Sequence, residues 1–141
     1  MGVGRAPARG AWRSLALAAV SVAVVGGCAW SSLLGAGPAR IEDGVLVTSD
    51  GWALYTFDRD TSAGTRAGIG SACVGECAVR WPPFAAGADA PPSGDFTAFV
   101  REDGTRQWAY KGRPLYRWTG DAAPGDRTGD GVDNLWRAAR P

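Results

Sequence analysis

Histidine is absent from the 141 residues. Catalysis by a Ser-His-Asp or Cys-His arrangement, zinc or copper bound by imidazole, and haem attached through a C-x-x-C-H motif all need that side chain. Its absence excludes these classes of site and leaves carboxylate or tyrosine chemistry as the catalytic options. Methionine occurs only as Met1, so a soft metal site in the rest of the chain cannot use a thioether.

A basic excess is also lacking. The chain has 15 basic and 14 acidic residues, and three of the basic ones lie in an N-terminal segment that we expect to be removed. The remainder has 12 basic residues (15 minus 3) against 14 acidic ones, a net charge of −2. Binding to a nucleic-acid backbone needs a clear basic excess or patch. We therefore expect no nucleic-acid partner.

Long hydrophobic runs are scarce. The longest, Leu15 to Val25, has 11 residues, which suits a secretory signal and falls short of the roughly 20 that span a membrane. Three arginines precede it, and Val25-Gly26-Gly27-Cys28 ends it with the small residues of a bacterial lipobox. The sequence predicts a signal peptide over residues 1–27 and lipidation of Cys28. The alternatives are an ordinary signal peptide or an uncleaved anchor that continues beyond Cys28.

The predicted lipid anchor also indicates where in the cell the protein is located. Two or more acyl chains hold a protein stably on a membrane, whereas one does not. We therefore expect an extracytoplasmic protein of the cell envelope, with the membrane as a partner through the lipid anchor. Residues 28–42 contain Ser, Gly and Pro and predict a flexible tether. Residues 43–141 are left for a single folded domain.

The composition of that domain favours β-structure. Tryptophan and glycine are abundant, at seven and 21 residues, which is typical of short strands and tight turns. Val45 to Thr48 and Trp52 to Phe57 predict a hairpin around an Asp-Gly turn. Residues 96–118 predict a three-stranded antiparallel meander whose third strand is Arg113 to Trp118. We expect a small, mostly β, antiparallel domain with long loops rich in Gly, Pro and Asp.

One ten-residue stretch occurs twice. Residues 51–60 and 112–121 align without a gap at an offset of 61 (112 minus 51) and share Tyr, any residue, aromatic, two residues, Asp. The motif residues are Tyr55, Phe57 and Asp60 in the first copy and Tyr116, Trp118 and Asp121 in the second. The two aromatic residues share one face of a strand, and the Asp suits the turn that ends it. The sequence predicts two related halves, about residues 43–84 and 95–141, with a shared aromatic core.

These motifs carry a family resemblance. The chain resembles the bacterial lipoproteins described as a secreted repeat of unknown function, which carry a Y-x-[FWY]-x-x-D signature. Further matching pieces are Cys73-Val-Gly-Glu-Cys77-Ala, Trp81-Pro82-Pro83, Gly112-Arg-Pro-Leu-Tyr116, and Pro124-Gly125-Asp126 followed by Gly129-Asp130-Gly131 and Trp136. The resemblance covers roughly residues 43–141 and implies an envelope lipoprotein, but it brings no known reaction and no cofactor.

The two remaining cysteines are four residues apart. Outside the cytoplasm such a pair is more often a disulfide than anything else, and one helical turn would bring Cys73 and Cys77 together. The sequence therefore favours a local structural disulfide. A redox-active or metal-binding pair is the alternative, but the chain lacks the histidine or methionine that would complete a soft metal site.

The acidic residues offer two further hypotheses. Four aspartates lie among glycines in the last long loop (Asp121, Asp126, Asp130 and Asp133), but their spacings of 5, 4 and 3 do not fit a calcium loop. Turn formation is the simpler interpretation, so we expect no metal site. Asp60 and Asp121, related by the repeat, could form a carboxylate pair for hydrolysis, although turns already account for both.

The favoured function is non-enzymatic. We expect an envelope lipoprotein that binds an envelope protein or a small molecule, or that has a structural role, and that needs no cofactor. Aromatic faces on β-scaffolds bind flat ligands by stacking, although an inward-facing core explains the same rings. The two alternatives are a redox or metal-handling lipoprotein acting through Cys73 and Cys77, and a carboxylate-dependent hydrolase.

Overall fold

The described part of the chain is one β-rich unit. The structure is a computed structural model, and it describes residues 1–4, 37–62 and 68–141. The apolar run of the predicted signal peptide, Cys28 and the first part of the tether lie outside these residues. The described elements belong to the unit Ser32–Pro141. In chain order they are β1 (Ala39–Glu42), β2 (Val45–Thr48), β3 (Tyr55–Phe57), α1 (Glu76–Arg80), β4 (Phe96–Val100), β5 (Arg106–Tyr110), β6 (Arg113–Pro114), a 3-10 turn (Val132–Asn134) and β7 (Trp136–Ala138).

The strands form three small antiparallel sheets. β1 pairs with β2, β3 pairs with β7, and β4, β5 and β6 form a meander in that order. α1, at five residues, is the one α-helix in the described part of the chain. The predicted mostly β, antiparallel architecture is therefore confirmed. One pair of neighbouring strands is distant in sequence: β3 and β7 are hydrogen-bonded although they lie about 80 residues apart.

Two tight turns set the register of the hairpins. Asp43-Gly44 joins β1 to β2, and Lys111-Gly112 joins β5 to β6. The four φ angles are positive, at 47° and 76° in the first turn and 47° and 74° in the second. Two-residue turns of this kind match the right-handed twist of the flanking strands, and glycine adopts positive φ without steric cost.

The tether is shorter than predicted. Residues 39–42 were expected to be flexible, but they form β1, which pairs with β2 from Ala39 opposite Thr48 to Glu42 opposite Val45. The strand was missed because its four residues include only one large apolar side chain, Ile41, and that side chain is exposed. The Asp43-Gly44 turn was the signal that should have indicated a strand on its N-terminal side.

The predicted strands Trp52 to Phe57 and Arg113 to Trp118 carry the repeat motif. Both predictions are wrong, because each strand was expected to stay paired with its neighbour in the same repeat. Trp52 to Leu54 returns along β2, with Leu54 N–H bonded to the Leu46 carbonyl, but the chain then leaves and β3 pairs with β7. In the second repeat β6 ends at Pro114, and the expected third strand does not continue to Trp118 along β5. Both departures occur because the motif residues pair with the opposite repeat.

The two halves exchange their C-terminal segments. The tail of repeat 1, Pro82 to Phe84, bonds to repeat 2: Arg117 N–H donates to the Pro82 carbonyl and Phe84 N–H to that of Leu115. The tail of repeat 2, β7 and Ala139, bonds to repeat 1, with Ala139 N–H donating to the Leu54 carbonyl. The tails of the two repeats correspond at an offset of 55 (136 minus 81), so Trp136 in repeat 2 is equivalent to Trp81 in repeat 1. Each half therefore completes the sheet of the other.

Candidate functional site

The two motif tyrosines lie together at the centre of the fold. Tyr55 N–H donates to the Tyr116 carbonyl and Tyr116 N–H to the Tyr55 carbonyl, both at 2.9 Å. This reciprocal pair relates the repeats by an approximate two-fold axis. Both tyrosines are fully buried, and their core cluster draws on both repeats.

Each tyrosine hydroxyl donates a hydrogen bond to the motif aspartate of the other repeat. Tyr55 Oη lies 2.7 Å from Asp121 Oδ2, and Tyr116 Oη lies 2.7 Å from Asp60 Oδ2. Burial and the nearby carboxylate raise the pKa of both phenols above their ordinary value. The tyrosines therefore remain neutral donors at any physiological pH.

The second oxygen of each motif carboxylate is held by its own repeat. Asp60 Oδ1 accepts the Ala72 N–H at 2.7 Å, and Asp121 Oδ1 accepts the Thr128 N–H at 2.9 Å and the Thr128 hydroxyl at 2.7 Å. Burial raises the pKa of Asp60, and the hydrogen bond from Tyr116 opposes that shift. The sequence predicted that these acids form turns, but the N–H groups that they accept lie 12 and 7 residues further along the chain, so one half of their role is to close a loop. The bond to the opposite tyrosine is the other half.

Four aromatic rings form a continuous stack across the approximate axis. Trp81 and Trp136 are at its centre, with ring centroids 3.7 Å apart and planes at 3°. Phe57 stacks on Trp136 at 4.3 Å, and Trp118 stacks on Trp81 at 4.1 Å. The aromatic residue of each motif therefore contacts the tail tryptophan of the other repeat. Gly129 passes so close to Tyr55 and Trp81 that a Cβ there would lie 2.8–2.9 Å from their rings.

A hydrogen-bonded chain extends from Tyr116 to a buried arginine. Ser71 Oγ lies 2.7 Å from Tyr116 Oη, and Arg101 Nη1 donates to Ser71 Oγ at 2.8 Å. Arg101 also donates to Gln107 Oε1 at 2.6 Å and to the Cys73 carbonyl at 2.8 Å. Its side chain is only 3% exposed. The serine, tyrosine and aspartate are connected like a catalytic triad, but the raised pKa keeps the Tyr116 phenol protonated, so it cannot take a proton from Ser71.

Sequence reasoning missed Arg101 and Ser71. Arg101 follows β4 directly, where a charged residue reads as a solvated strand end. Its neighbours give no signal of burial, because Val100 is exposed and the turn at Glu102-Asp103-Gly104 follows at once. Ser71 had no signal of its own, since a serine before a cysteine pair suits any polar loop.

The cysteines form the predicted disulfide. Cys73 and Cys77 are bonded, with Cα atoms 5.1 Å apart. Cys73 is fully buried, and Cys77 is partly buried against the cluster that contains the ring stack. The bond fixes the start of α1, and the Cys77 carbonyl accepts the Trp81 N–H at 2.8 Å. The disulfide thus positions one of the two central rings of the stack.

The aspartates of the last loop bind the protein itself. Asp126 Oδ2 accepts the N–H groups of Ala122 and Ala123, and Asp130 Oδ1 accepts the Ala138 N–H at 2.9 Å. Asp121 is bound to Thr128 and Tyr55 as described. Within the described residues no group of three or more His, Cys, Asp or Glu side chains has an arrangement that could hold a metal ion.

A surface cleft lies at the Trp118 end of the stack. The aromatic cleft has a volume of about 270 Å³ and is lined by Trp52, Pro82, Arg117, Trp118, Thr119 and Asp121. The Arg117 guanidinium lies 4.5 Å from the centroid of the Trp52 ring. Of the five tryptophans in the described domain, Trp52 and Trp118 are the two that are partly exposed, and both line this cleft.

Comparison with known families agrees with this two-repeat structure. The chain matches the family described as a secreted repeat of unknown function twice, over residues 39–85 and 97–140. It belongs to that family. The secreted-repeat matches begin at the start of β1 and within β4, and each ends one residue beyond the tail that crosses to the other half. No curated protein and no solved structure matches the chain.

The description of the secreted-repeat family suggests a location outside the cytoplasm. Within residues 1–4, 37–62 and 68–141, none of the helices has the length and apolar character to span a membrane.

Proposed function

We propose that this secreted-repeat protein is an envelope lipoprotein, anchored through Cys28, whose domain is a non-enzymatic binding module. The aromatic cleft is its binding surface. The observation that carries the proposal is the position of Trp52 and Trp118, the two partly exposed indoles of the described domain, on one cleft. Arg117 lies over the Trp52 ring and Trp118 stacks on Trp81, and the surface that these two partly exposed indoles leave open beside the proline is apolar, as in sites that bind sugar, proline or aromatic rings.

The polar groups of the motif support a binding role over a catalytic one. Both oxygens of Asp60 and of Asp121 already accept hydrogen bonds, and the tyrosine donors are held neutral by burial. A general acid or base needs a pKa near the working pH and a free position beside the substrate. In the motif, the carboxylate oxygens are already occupied and the phenols stay protonated, so no acceptor is left free beside a substrate, and the groups act by holding the two repeats together.

The anchor is tested by lipid labelling. Cells expressing the full chain are fed an alkyne-tagged fatty acid, and the protein is captured and probed for the tag. We expect labelling of the wild-type chain and none of Cys28→Ser, with both chains secreted. Equal labelling of the two chains would refute lipidation at Cys28.

The binding role is tested by NMR on the indole N–H signals. The chain from residue 28 with Cys28→Ser is titrated separately with chitohexaose and with a decaproline peptide. We expect one of these probes to shift the Trp52 and Trp118 signals and to leave those of Trp81, Trp108 and Trp136 in place. Trp52→Ala should weaken binding about fivefold or more, because one stacked ring contributes about 1–3 kcal/mol. A probe that shifts no indole signal, or binds Trp52→Ala equally well, argues against the cleft.

A further inference from the structure

The approximate two-fold axis gives the aromatic cleft a counterpart in the other repeat. Arg113 corresponds to Trp52 and Thr56 to Arg117, at the motif offset of 61, while Arg137 corresponds to Pro82 at the tail offset of 55. These counterparts line a separate cavity of about 330 Å³, here named the basic cavity. Three of the six residues that line the aromatic cleft thus have counterparts in the basic cavity, and none of the three pairs shares a residue type.

The basic cavity concentrates positive charge in a domain of net negative charge. Four of the 12 basic residues after position 28 line it: Lys111, Arg113, Arg137 and Arg140. The carboxylates that pair with them are Asp58 and Asp130. The side chains at the cavity therefore sum to a charge of +2 (4 minus 2), whereas the domain as a whole carries −2 (12 minus 14).

The ion pairs of these cations are long, and Arg137 also donates to the Asn134 carbonyl at 3.0 Å and to Asn134 Oδ1 at 3.2 Å. Asp58 is shared between Arg113 at 3.4 Å and Arg137 at 3.3 Å, and Arg140 lies 3.5 Å from Asp130. Charge-assisted hydrogen bonds normally measure about 2.7–2.9 Å, so these contacts are long and exposed. The Lys111 ammonium makes no ion pair among the described residues and lies 5.3 Å from the centroid of the Tyr110 ring.

We propose that the basic cavity binds a phosphomonoester. A phosphomonoester carries a charge of about −1.5 to −2 at neutral pH, which matches the two uncompensated positive charges, whereas a carboxylate supplies one. Arginine forks and a lysine ammonium are the usual donors to phosphate oxygens. Tyr110, Ala138 and Ala139 give the cavity an apolar wall beside those donors for the alkyl part of the ester. The ester belongs either to a soluble molecule or to a phosphatidic acid headgroup.

The difference in side chains between the aromatic cleft and the basic cavity is informative, because the centre of the fold is alike in the two repeats. Between the repeats, the Tyr pair, the Asp pair and the tail tryptophans are retained at equivalent positions. Stability therefore does not need an arginine at 113, since Trp52 occupies the same place in the other half, whereas Arg137 has a structural partner in Asn134. Three arginines and a lysine around one cavity call for an anionic ligand instead.

The test uses the chain from residue 28 with Cys28→Ser, so that no acyl chain contributes. Glycerol 1-phosphate is titrated and followed through the Ala138 and Ala139 amide signals, with glycerol as the uncharged reference. Flotation with vesicles of phosphatidylcholine, with and without phosphatidic acid, tests the lipid source. Binding of the soluble ester alone assigns a soluble ligand, and binding of the phosphatidic acid vesicles alone assigns the headgroup.

Lys111→Gln/Arg140→Gln tests the cavity, and Arg59→Gln/Arg80→Gln is the control, because it removes the same charge from exposed positions elsewhere. We expect the cavity variant to lose about thirtyfold in affinity, since each basic residue at an anionic surface contributes about fivefold. The control should retain most of the affinity. Equal losses in both variants, no loss in the cavity variant, or no saturable binding of either probe would overturn the proposal.

Discussion

At the scale of residues, the cross-repeat hydrogen bonds are the features with the clearest energetic consequence. Tyr55→Phe removes the donor to Asp121, whose carboxylate is 8% exposed and would lose one of its partners. We expect a loss of about 1.5–3 kcal/mol in the free energy of unfolding, measured by chemical denaturation.

Tyr110→Phe is the matched control for that experiment, because the Tyr110 hydroxyl makes no hydrogen bond among the described residues and lies at the surface of the meander. Its free energy of unfolding should change by less than about 0.5 kcal/mol. Equal effects of the two substitutions would mean that the bond to Asp121 contributes nothing specific.

The raised pKa of Asp60 predicts a pH dependence of stability. Burial is the main cause of the shift, so the folded state binds a proton at this carboxyl more readily than the unfolded state does. The protonated Asp60 carboxyl group therefore stabilises the folded state at acid pH. This contribution is lost as the pH rises through the folded-state pKa of Asp60, in a window that begins near the ordinary value of 3.8.

Asp60→Asn removes this titration. The stability of the wild type relative to Asp60→Asn should therefore fall as the pH is raised from about 4 towards neutral, as followed by urea denaturation at each pH. A difference between the two proteins that does not change over this range contradicts the raised pKa.

The sequence was informative about the motif residues and silent about their partners. Alternation placed Tyr55 with Phe57 on one face, and both are buried as an inward face requires. The partner of Asp60 is 56 residues away, and the spacing of side chains along one strand says nothing about contacts at that distance. Arg101 was missed for the same reason, because its partners Ser71 and Cys73 lie 30 and 28 residues earlier in the chain.

At the scale of elements, the disulfide stabilises the local structure around α1. The bond closes a loop of only four residues, so the chain-entropy model gives about 2 kcal/mol of stabilisation. We expect reduction to lower the unfolding free energy by that amount and to leave the domain folded, as seen in thermal melts with and without a thiol-free reductant. A Cys73→Ala/Cys77→Ala variant should not respond to the reductant. Complete unfolding on reduction would show that the bond holds more than α1.

Element boundaries were harder to predict than element types. The Lys111-Gly112 turn and the meander could be predicted because glycine at positive φ and alternating side chains are local features. The ends of β3 and β6 could not, because the hydrogen bonds that continue each strand come from the other repeat. β1 was missed because its pairing with β2 depends on backbone bonds and on few buried side chains.

At the scale of the whole molecule, the exchange of tails makes the two halves interdependent. A fragment that ends in the Ala85 to Gly94 loop contains the first motif but lacks β7, which completes β3. Neither half can bury its own tyrosine or complete its own part of the ring stack. We expect residues 37–89 and 90–141 each to be unfolded alone and to fold together on mixing.

Far-ultraviolet circular dichroism of the separate and mixed fragments measures this directly. Trp136→Ala in the second fragment should weaken the reconstitution strongly, because truncation of a buried tryptophan costs about 3–5 kcal/mol. Val79→Ala in the first fragment is a control at an exposed position and should reconstitute normally. A fragment that folds by itself would show that the tails are not essential to either half.

The reciprocal tail exchange also bears on ancestry. A polypeptide with one Tyr-x-aromatic-x-x-Asp unit and one tail could bury its rings only against a second copy of itself, with each copy lending its tail to the other. Such a unit would therefore be an obligate homodimer, in which every change at a surface position appears twice. With both units in one chain, the two surfaces are independent of each other, and here one side has indoles where its twin has guanidinium groups.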